Sequence, residues 1–321
     1  MTLKVGLALG SGASRGWAHI GVIRALQKYG IEPDIVCGCS VGAIVGAAYA
    51  ASSLDRLERW VCSLTKLELA KYAEFSFRSG LINRQRLNEH FERHICAKGT
   101  TIESLEKSFG SVATDLHSGR EVWFTQGETL TAIWASMSLP GLFPPVHFED
   151  KWLVDGGLVN PVPISMCRSL GADVVIAVDL NSDIVGKHHR PVEVVATPHQ
   201  DTSKALVPNS ISTVENKSSD DIFGNLKDTL MDYSSSLLLN QPAANVQPQP
   251  PGFFDTIAGS VNIMQDRIAR SRMAGDPPDV LLSPRLAHIS LMEFYRAEEV
   301  IQAGYDLTLQ SLDQIRRAIH V

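Results

Sequence analysis

The sequence predicts an α/β fold with a central, mostly parallel β-sheet. In the first half of the chain, short apolar runs typical of buried strands alternate with stretches that have helical spacing. Glycine-rich turns separate the first two apolar runs from the helices expected after them. At 321 residues, the chain is long enough for one large domain or for two.

The predicted elements follow one another regularly. Residues 3–9 form an apolar run typical of a strand, and large apolar residues recur every third position over 17–29, which indicates a helix that ends at Gly30. A second strand and helix are expected over 34–37 and 43–51. The later elements are a helical region over 54–95 broken near Gly80, a hairpin over 111–116 and 121–125, strands over 152–154 and 173–180, a helix over 253–273, a strand over 280–282 and a helix over 291–319.

Composition divides the chain into three segments. Residues 1–185 hold the alternation of strands and helices and form the expected main domain. The stretch 186–252 is rich in Ser, Asn, Gln, Pro and His and has few aromatic residues, which predicts a flexible, low-complexity insertion. Over 253–321 the periodic pattern returns, and this segment is expected to complete the same domain or to pack on it.

Charge and composition exclude several classes of protein. A formal net charge of -6 argues against a nucleic-acid partner, because nothing would neutralise a phosphate backbone. No apolar run approaches the roughly 20 residues that span a bilayer, and the first residues lack the pattern of a secretory signal. The five cysteines show no metal-ligand spacing, so we expect reduced thiols, no metal, no cofactor and a cytosolic location.

The strongest candidate for chemistry is the pentapeptide Gly38-Cys39-Ser40-Val41-Gly42, between the second expected strand and its helix. A serine on such a sharp turn presents its hydroxyl to substrate, close to main-chain donors and a helix N-terminus. Gly38 and Gly42 remove side chains that would clash in so tight a turn. We therefore interpret Ser40 as a nucleophile; a Gly-Ser turn that caps a helix is the alternative.

A glycine-rich loop, residues 10–16, follows the first strand and opens the first helix. Its amides suit either a dinucleotide or an oxyanion. Its spacing is G-x-G-x-x-x-G rather than G-x-G-x-x-G, and the second strand ends without the acidic residue that a dinucleotide site requires. The sequence therefore favours an oxyanion hole. Arg15, a cation close to a helix N-terminus, is expected to serve a partner anion, with exposure of its guanidinium to solvent as the alternative.

A serine nucleophile needs a base, and two candidates exist. Asp179 with His288 would follow the Ser, Asp, His order of α/β-hydrolases. In that fold the serine turn follows a mid-sheet strand, whereas here only one strand precedes the serine's own, and a surface position is the commoner explanation of His288. Asp155 stands at a strand end before two glycines that permit close approach, although a plain Asp-Gly turn has the same pattern. Together with the other two motifs, Asp155 is favoured.

The three motifs occur in order: a glycine-rich loop that ends in Arg-Gly, a G-x-S-x-G turn, and Asp-Gly-Gly at a strand end. In this order they resemble the patatin-like phospholipases. The bacterial RssA-like branch is similar through four segments, Gly6–Gly12, Ala18–Val22, Ala135–Gly141 and Asp155–Ile164. The resemblance covers about residues 3–182, with a weaker similarity over 273–279.

The resemblance implies a patatin-like catalytic domain over 1–185, built as a three-layer α/β/α sandwich with the elbow serine after the second strand. It also implies a dyad without histidine, in which Ser40 is the nucleophile and Asp155 its base. Gly12 and Ala13 amides would hold the oxyanion.

Arg15 would steady the glycine-rich loop or a lipid phosphate, according to the same resemblance. The chain departs from the family where three successive glycines read Ser11-Gly12-Ala13. The amides are retained, but the added side chains restrict the backbone and put catalytic efficiency in doubt.

The function implied is a lipid acyl hydrolase acting on phospholipids, lysophospholipids or related esters, either free in the cytosol or peripheral at the inner membrane face. A catalytically silent regulatory or binding protein is the rival interpretation, supported by the altered glycine loop, and a Ser-Asp-His esterase is a third. The apolar loop 138–146 suits an acyl-chain groove and ordinary core cover equally. A Leu237–Leu239 patch in the insertion is a hypothetical lid or membrane contact.

Overall fold

Eight strands form one sheet, in the order β10-β9-β1-β2-β5-β8-β7, with β6 also paired to β5. The computed structural model describes residues 3–76, 80–82, 84–183 and 253–320 of the chain. The strands of the sheet are β1 Val5–Leu9, β2 Ile35–Cys39, β5 Ser108–Asp115, β6 Glu121–Phe124, β7 Val146–Phe148, β8 Lys151–Asp155, β9 Val174–Val178 and β10 Val280–Leu282. A separate antiparallel hairpin contains β3 (Ala73–Ser76) and β4 (Gly80–Ile82).

Five neighbouring strands, β10, β9, β1, β2 and β5, run parallel, and β6, β7 and β8 add antiparallel pairs at the far side. Every residue of β1, β2 and β9 is buried. Such strands are covered on both faces, which explains why they read as short apolar runs rather than as alternating ones. The sequence prediction of a mostly parallel central sheet is confirmed.

Helices cover both faces of the sheet. The larger apolar core lies on the face of α1, α2 and α6 and includes Leu7, Leu9 and Phe109, whereas Ala8 and Val112 face a second core beside α7 and α8. The helices are α1 Ala18–Lys28, α2 Val41–Ala50, α3 Leu54–Cys62, α4 Lys66–Ala70, α5 Arg84–His94, α6 Thr129–Met137, α7 Ile164–Ser169, α8 Phe253–Gly275, α9 Ala297–Gln310 and α10 Leu312–Ala318. This is the three-layer arrangement that the sequence predicts.

Two predicted helical stretches were wrong in part. The region 54–95 contains α3, α4 and α5, but the β3–β4 hairpin separates α4 from α5. Over 73–76 apolar and polar residues alternate, which is the period of a strand. The final helix, predicted over 291–319, begins as α9 at residue 297 and breaks at Ser311, whose amide donates to the carbonyls of residues 307 and 308 in a tightened last turn. The predicted insertion over 186–252, with its Leu237–Leu239 patch, lies outside the described residues.

The register of β5 brings two strand ends together. Cys39, the last residue of β2, pairs with Val112, and Asp155, the last residue of β8, pairs with Ala113. Because β6 pairs with β5 over residues 111–114, it occupies the other edge of that strand. β2 and β8 therefore run towards each other along the same edge of β5 and end at consecutive positions.

Candidate active site

Ser40 occupies a strained turn between β2 and α2. Its backbone angles are φ 56° and ψ -121°, a combination that costs a non-glycine residue about 1–3 kcal/mol. The flanking glycines make the turn possible, because a Cβ on Gly38 would lie 2.3 Å from the carbonyl oxygen of Gly42, and one on Gly42 would lie 2.1 Å from that of Leu9. The backbone thus has the elbow geometry expected from the pentapeptide.

The Ser40 hydroxyl donates a hydrogen bond to the Asp155 carboxylate, with 2.6 Å between Oγ and Oδ2. The other carboxylate oxygen, Oδ1, accepts from the amide of Gly157 at 2.7 Å. Thr114 Oγ1 donates to the main-chain carbonyl of Asp155 at 2.8 Å and fixes the end of β8. Two sequence-predicted residues that are 115 positions apart therefore form one hydrogen-bonded pair.

The surroundings of Asp155 disfavour the charged form of its carboxyl group. Its side chain is 1% exposed, and burial raises its pKa to about 6, although the hydrogen bonds from Ser40 and Gly157 act in the opposite direction. The carboxyl group is therefore a stronger proton acceptor than a solvent-exposed aspartate, and it remains largely ionised above neutral pH.

The C-terminal end of α6 holds both members of the pair. Ser40 N–H donates to Ser136 Oγ at 2.9 Å, and Asp155 N–H donates to the Ser138 carbonyl at 3.0 Å. The Ser138 hydroxyl in turn donates to the carbonyl of Trp134. Sequence reasoning gave these serines no role, although both lie in the Ala135–Gly141 segment that carried part of the family resemblance.

Two adjacent amides of the glycine-rich loop, those of Gly12 and Ala13, donate no hydrogen bond within the described part of the chain. The amides of Ser11 and Ser14, by contrast, donate to the carbonyls of residues 161 and 291. Ala13 has φ 49°, in the left-handed region, which costs an alanine about 1–2 kcal/mol, and it lines a cavity together with Ser40. Alanine thus adopts a backbone conformation that favours glycine.

Arg15 is buried behind the glycine-rich loop and donates a hydrogen bond to it. Its guanidinium donates to the carbonyl of Gly12 at 3.2 Å and to the side-chain oxygens of Asn181 and Asn262. Burial lowers its pKa to about 10, and the nearby Asp179 carboxylate opposes that effect. The interpretation of Arg15 as solvent-exposed is wrong. The geometry agrees with a residue that steadies the loop, and Arg15 is absent from the residues that line the cavity.

Helix α8 supplies a polar surface to the same loop. Gln265 Oε1 accepts hydrogen bonds from Ser11 Oγ at 2.9 Å and from Asn181 Nδ2 at 3.1 Å. Its side chain also packs against Gly157, where an added Cβ would lie 2.3 Å from Gln265 Nε2. Ser11, one of the two departures from the glycine triplet, therefore has a partner. Sequence reasoning missed Gln265 because its partner lies 254 positions away.

Ser40 opens into an apolar cavity of about 120 Å³. From the loop predicted over 138–146, Leu139, Leu142 and Phe143 contribute to the lining, and Phe143 also belongs to the main core. The loop therefore both lines the cavity and contributes to the core, and its role as an acyl-chain groove stays a prediction. The other lining residues are Ala13, Trp17, Val41, Ile44, Trp60, Leu64, Leu69, Tyr72, Leu87, Phe91, Met137 and Phe294.

In the described structure, no hydrogen bond joins His288 to Asp179 or to Ser40. His288 is exposed, and its Nε2 lies 2.9 Å from Glu299 Oε1, while Asp179 is buried and accepts from the amide of Asn181. His19 is also unsuited to act as a base, because burial lowers its pKa to about 4 and its Nε2 contacts the carbonyl of Gly10. Within the described ranges, no group of three or more His, Cys, Asp or Glu could hold a metal ion.

The family model for patatin-like phospholipase matches residues 7–168, about half of the chain. The chain belongs to the patatin-like phospholipase family. An uncharacterized NTE family protein of Mycobacterium tuberculosis is 32% identical over 341 residues, which cover 97% of this chain and 91% of the relative. The finer assignment to an RssA-like branch stays a prediction.

Fungal relatives within this patatin-like family are much longer proteins. A lysophospholipase NTE1 of Pyricularia oryzae is 28% identical over 98% of this chain, but the match spans only 19% of the relative. Among solved structures, VipD from Legionella pneumophila aligns over 97% of this chain and 67% of its own, with a TM-score of 0.42 and 11% identity. In the described part of the chain, no helix combines the length and apolar character that crossing a membrane requires.

Replacing Asp155 by Asn should stabilise the folded protein at neutral pH. The pKa of about 6 lies above the usual 3.8, so the contribution of Asp155 to stability is most favourable below pH 4 and is lost as the pH rises through 6. Two pKa units correspond to about 3 kcal/mol, and Asn removes this penalty while it can still accept from Gly157.

Denaturant unfolding at pH 4 and pH 7.5 tests this expectation, with exposed Asp150→Asn as the matched control. The advantage of Asp155→Asn should appear at pH 7.5 and shrink at pH 4. A variant less stable than wild type at pH 7.5 would contradict the assigned environment.

Gln265→Leu should destabilise the chain by about 1–3 kcal/mol, because it leaves the Ser11 hydroxyl buried without its acceptor and removes one of the acceptors of the Asn181 amide. Arg267→Leu, on the exposed side of the same helix, should change the free energy of unfolding by less than about 0.5 kcal/mol. Equal unfolding midpoints for the two variants would show that the contact between α8 and the loop contributes little.

Proposed function

We propose that the chain is a lipid acyl hydrolase in which Ser40 attacks an ester carbonyl and Asp155 accepts its proton. The single observation that carries the proposal is the 2.6 Å hydrogen bond from Ser40 Oγ to a carboxylate that is almost fully buried. A serine hydroxyl is a weak nucleophile unless a base is positioned on it, and this carboxylate is so positioned.

The reaction uses one proton acceptor twice. As the bond from Ser40 Oγ to the carbonyl carbon forms, the hydroxyl proton moves to Asp155 and the carbonyl electron pair moves to the oxygen. Collapse of this tetrahedral intermediate expels the alcohol, which takes the proton from Asp155 and leaves an acyl-serine. Water then attacks the acyl carbon, gives its proton to Asp155, and release of the fatty acid returns that proton to Ser40.

The negative oxygen of each intermediate needs donors, and the amides of Gly12 and Ala13 are our candidates. The flanking amides of Ser11 and Ser14 donate to carbonyls outside the loop, whereas these two have no acceptor in the described structure. A single preorganised donor of this kind contributes about 3 kcal/mol to transition-state stabilisation. Arg15 then acts indirectly, because its bond to the carbonyl of Gly12 holds the loop in place.

The substrate class is a lipid ester. The cavity beside Ser40 is lined by apolar side chains that suit an acyl chain, and the fungal relatives named lysophospholipase support the same class. We infer that the protein meets its substrate at a lipid surface. Its cytosolic location stays a prediction.

A catalytically silent protein of the same fold is the rival function. Its support is Ala13, whose left-handed backbone stores strain that glycine would not. Against it stands the assembled geometry, since the hydrogen bond of Ser40 to Asp155 is formed and the amides of Gly12 and Ala13 have no acceptor in the described structure. The hydrolase and the silent protein differ in whether the Ser40 hydroxyl is reactive.

Ser40→Ala should abolish both ester hydrolysis and labelling by a fluorophosphonate, because no other hydroxyl is proposed to attack. Asp155→Asn should fold and lose at least about 100-fold in kcat, which is the usual contribution of a general base. Gel-based labelling and turnover of a p-nitrophenyl ester measure both effects. Ser118→Ala, at an exposed turn, is the control. Unlabelled wild-type protein would favour the silent alternative.

The pH dependence of kcat/KM should follow the ionisation of Asp155. Because Asp155 must be ionised to accept a proton and its pKa is about 6, kcat/KM should be level above pH 7 and fall about tenfold for each pH unit well below 6. His19, with a pKa of about 4, titrates outside this window. Rates from pH 4.5 to 8.5 test the assignment; an acid limb near pH 4 would argue against a buried carboxylate base.

A further inference from the structure

A second pocket, of about 390 Å³, lies between helices α3 and α5. Its lining residues are Arg56, Arg59, Trp60, Ser63, Arg93 and His94. Three arginines at one pocket are unusual on a chain whose formal net charge is -6. This cluster, the α3–α5 basic pocket, has no role in the proposed chemistry at Ser40.

The arginines of the pocket form no ion pair with an acidic residue among the described residues. No carboxylate of the described chain lines the pocket. Asp55 and Glu58, the acidic residues of α3, both pair with Arg24. On α5, the Glu92 carboxylate accepts from the side-chain amide of Asn88.

Main-chain carbonyls orient two of the guanidinium groups. Arg59 Nε donates to the carbonyl of Asp55 at 3.2 Å, and an Arg56 terminal nitrogen lies 3.5 Å from the carbonyl of Ile95. A carbonyl uses one donor and removes no charge, so the remaining N–H groups stay available. Arginine presents these donors in a planar fork that matches an oxyanion such as phosphate. Ser63 adds a hydroxyl to the lining.

Trp60 forms a wall common to this pocket and the apolar cavity at Ser40, because it lines both. Its indole is held by the imidazoles of His90 and His94, which lie nearly parallel to it at centroid distances of 5.2 Å and 5.4 Å. Burial lowers the pKa of His94, and the neighbouring His90 and Arg93 act in the same direction. The apolar cavity at Ser40 and the α3–α5 basic pocket therefore both border Trp60.

We propose that the α3–α5 basic pocket binds the phosphate of the phospholipid whose acyl chain enters the cavity beside Ser40. Ester and phosphate share one glycerol in such a lipid, so a molecule held at Ser40 extends its head group out of the apolar cavity. Arg59 and Arg93 are the principal ligands. This site selects phospholipid esters over neutral esters with the same acyl chain, and it rests on the proposed function of Ser40.

The test compares lauroyl lysophosphatidylglycerol with monolauroylglycerol, which carry the same ester and acyl chain but differ in the phosphoglycerol head group. Both are used as monomers below their critical micelle concentrations, so attraction to a charged surface cannot contribute. The double variant Arg59→Gln/Arg93→Gln should lose about tenfold in kcat/KM for the lysophospholipid, mainly through KM, and keep its rate on monolauroylglycerol. The double variant Arg285→Gln/Arg317→Gln, with the same change of charge at exposed positions, should match wild type on both lipids.

Calorimetric titration of both lipids into the Ser40→Ala protein separates this site from the proposed chemistry, because it requires no turnover. In that background the two arginine substitutions should weaken binding of the lysophospholipid about tenfold and leave monolauroylglycerol unchanged. An equal loss for both lipids, or no loss for either, overturns the site even if Ser40 is the nucleophile. Conversely, selective binding with hydrolysis that persists in Ser40→Ala would preserve the site and reject the proposed nucleophile.

A free anion such as inorganic phosphate presents the same oxygen ligands to the α3–α5 basic pocket as a phospholipid head group. Inorganic phosphate is titrated into wild type and the arginine double variant by the same method. Binding of inorganic phosphate that depends on Arg59 and Arg93, with lysophospholipid kinetics unchanged in the double variant, would make the pocket a free-anion site and overturn the lipid assignment.

Discussion

The candidate site depends on the meeting of β2 and β8 along one edge of β5. Because Cys39 and Asp155 pair with consecutive residues of that strand, the residue after β2 and the last residue of β8 must be neighbours. The hydrogen bonds of the sheet therefore fix the strand ends next to Ser40 and at Asp155, and the contact between the two side chains requires no flexible loop to close. A shift of either strand by one residue would turn its side chains to the other face and separate the pair.

The folded protein maintains several unfavourable features around this junction. Ser40 and Ala13 have strained backbones, and the Asp155 carboxylate is buried with its pKa raised. Neighbouring elements compensate: the end of α6 binds both strand ends, and α8 satisfies the polar groups behind the glycine-rich loop. Such local violations of ordinary preferences are expected where a site must be preorganised, since relief of the strain would release the reactive groups from their geometry.

Two different environments meet at the same loop. Towards the cavity, the loop and Ser40 face apolar side chains, whereas on its other side Arg15, Asn181, Asn262 and Gln265 form a buried hydrogen-bonded cluster. In the proposed reaction, an apolar cavity would strengthen the interaction of the loop amides with a developing oxyanion, and the buried polar cluster would fix the position of those amides. The rigid backing of the loop therefore comes from α8, more than two hundred residues further along the chain.

The sequence by itself determined the alternation of strands and helices, the parallel sheet, the elbow at Ser40 and the family to which the chain belongs. These features depend on local patterns, such as apolar periodicity and glycines at tight turns, and such patterns are visible within short stretches of sequence. Only the tertiary structure decided between Asp155 and the pair Asp179–His288 as the contact of Ser40, the position of Arg15 beneath the loop, and the partnership of Ser11 with Gln265. It also showed the hairpin between α4 and α5 and the break at Ser311. Those outcomes depend on strand register and on burial. Both arise from contacts between residues far apart in the chain, and the pattern of neighbouring residues does not reveal them.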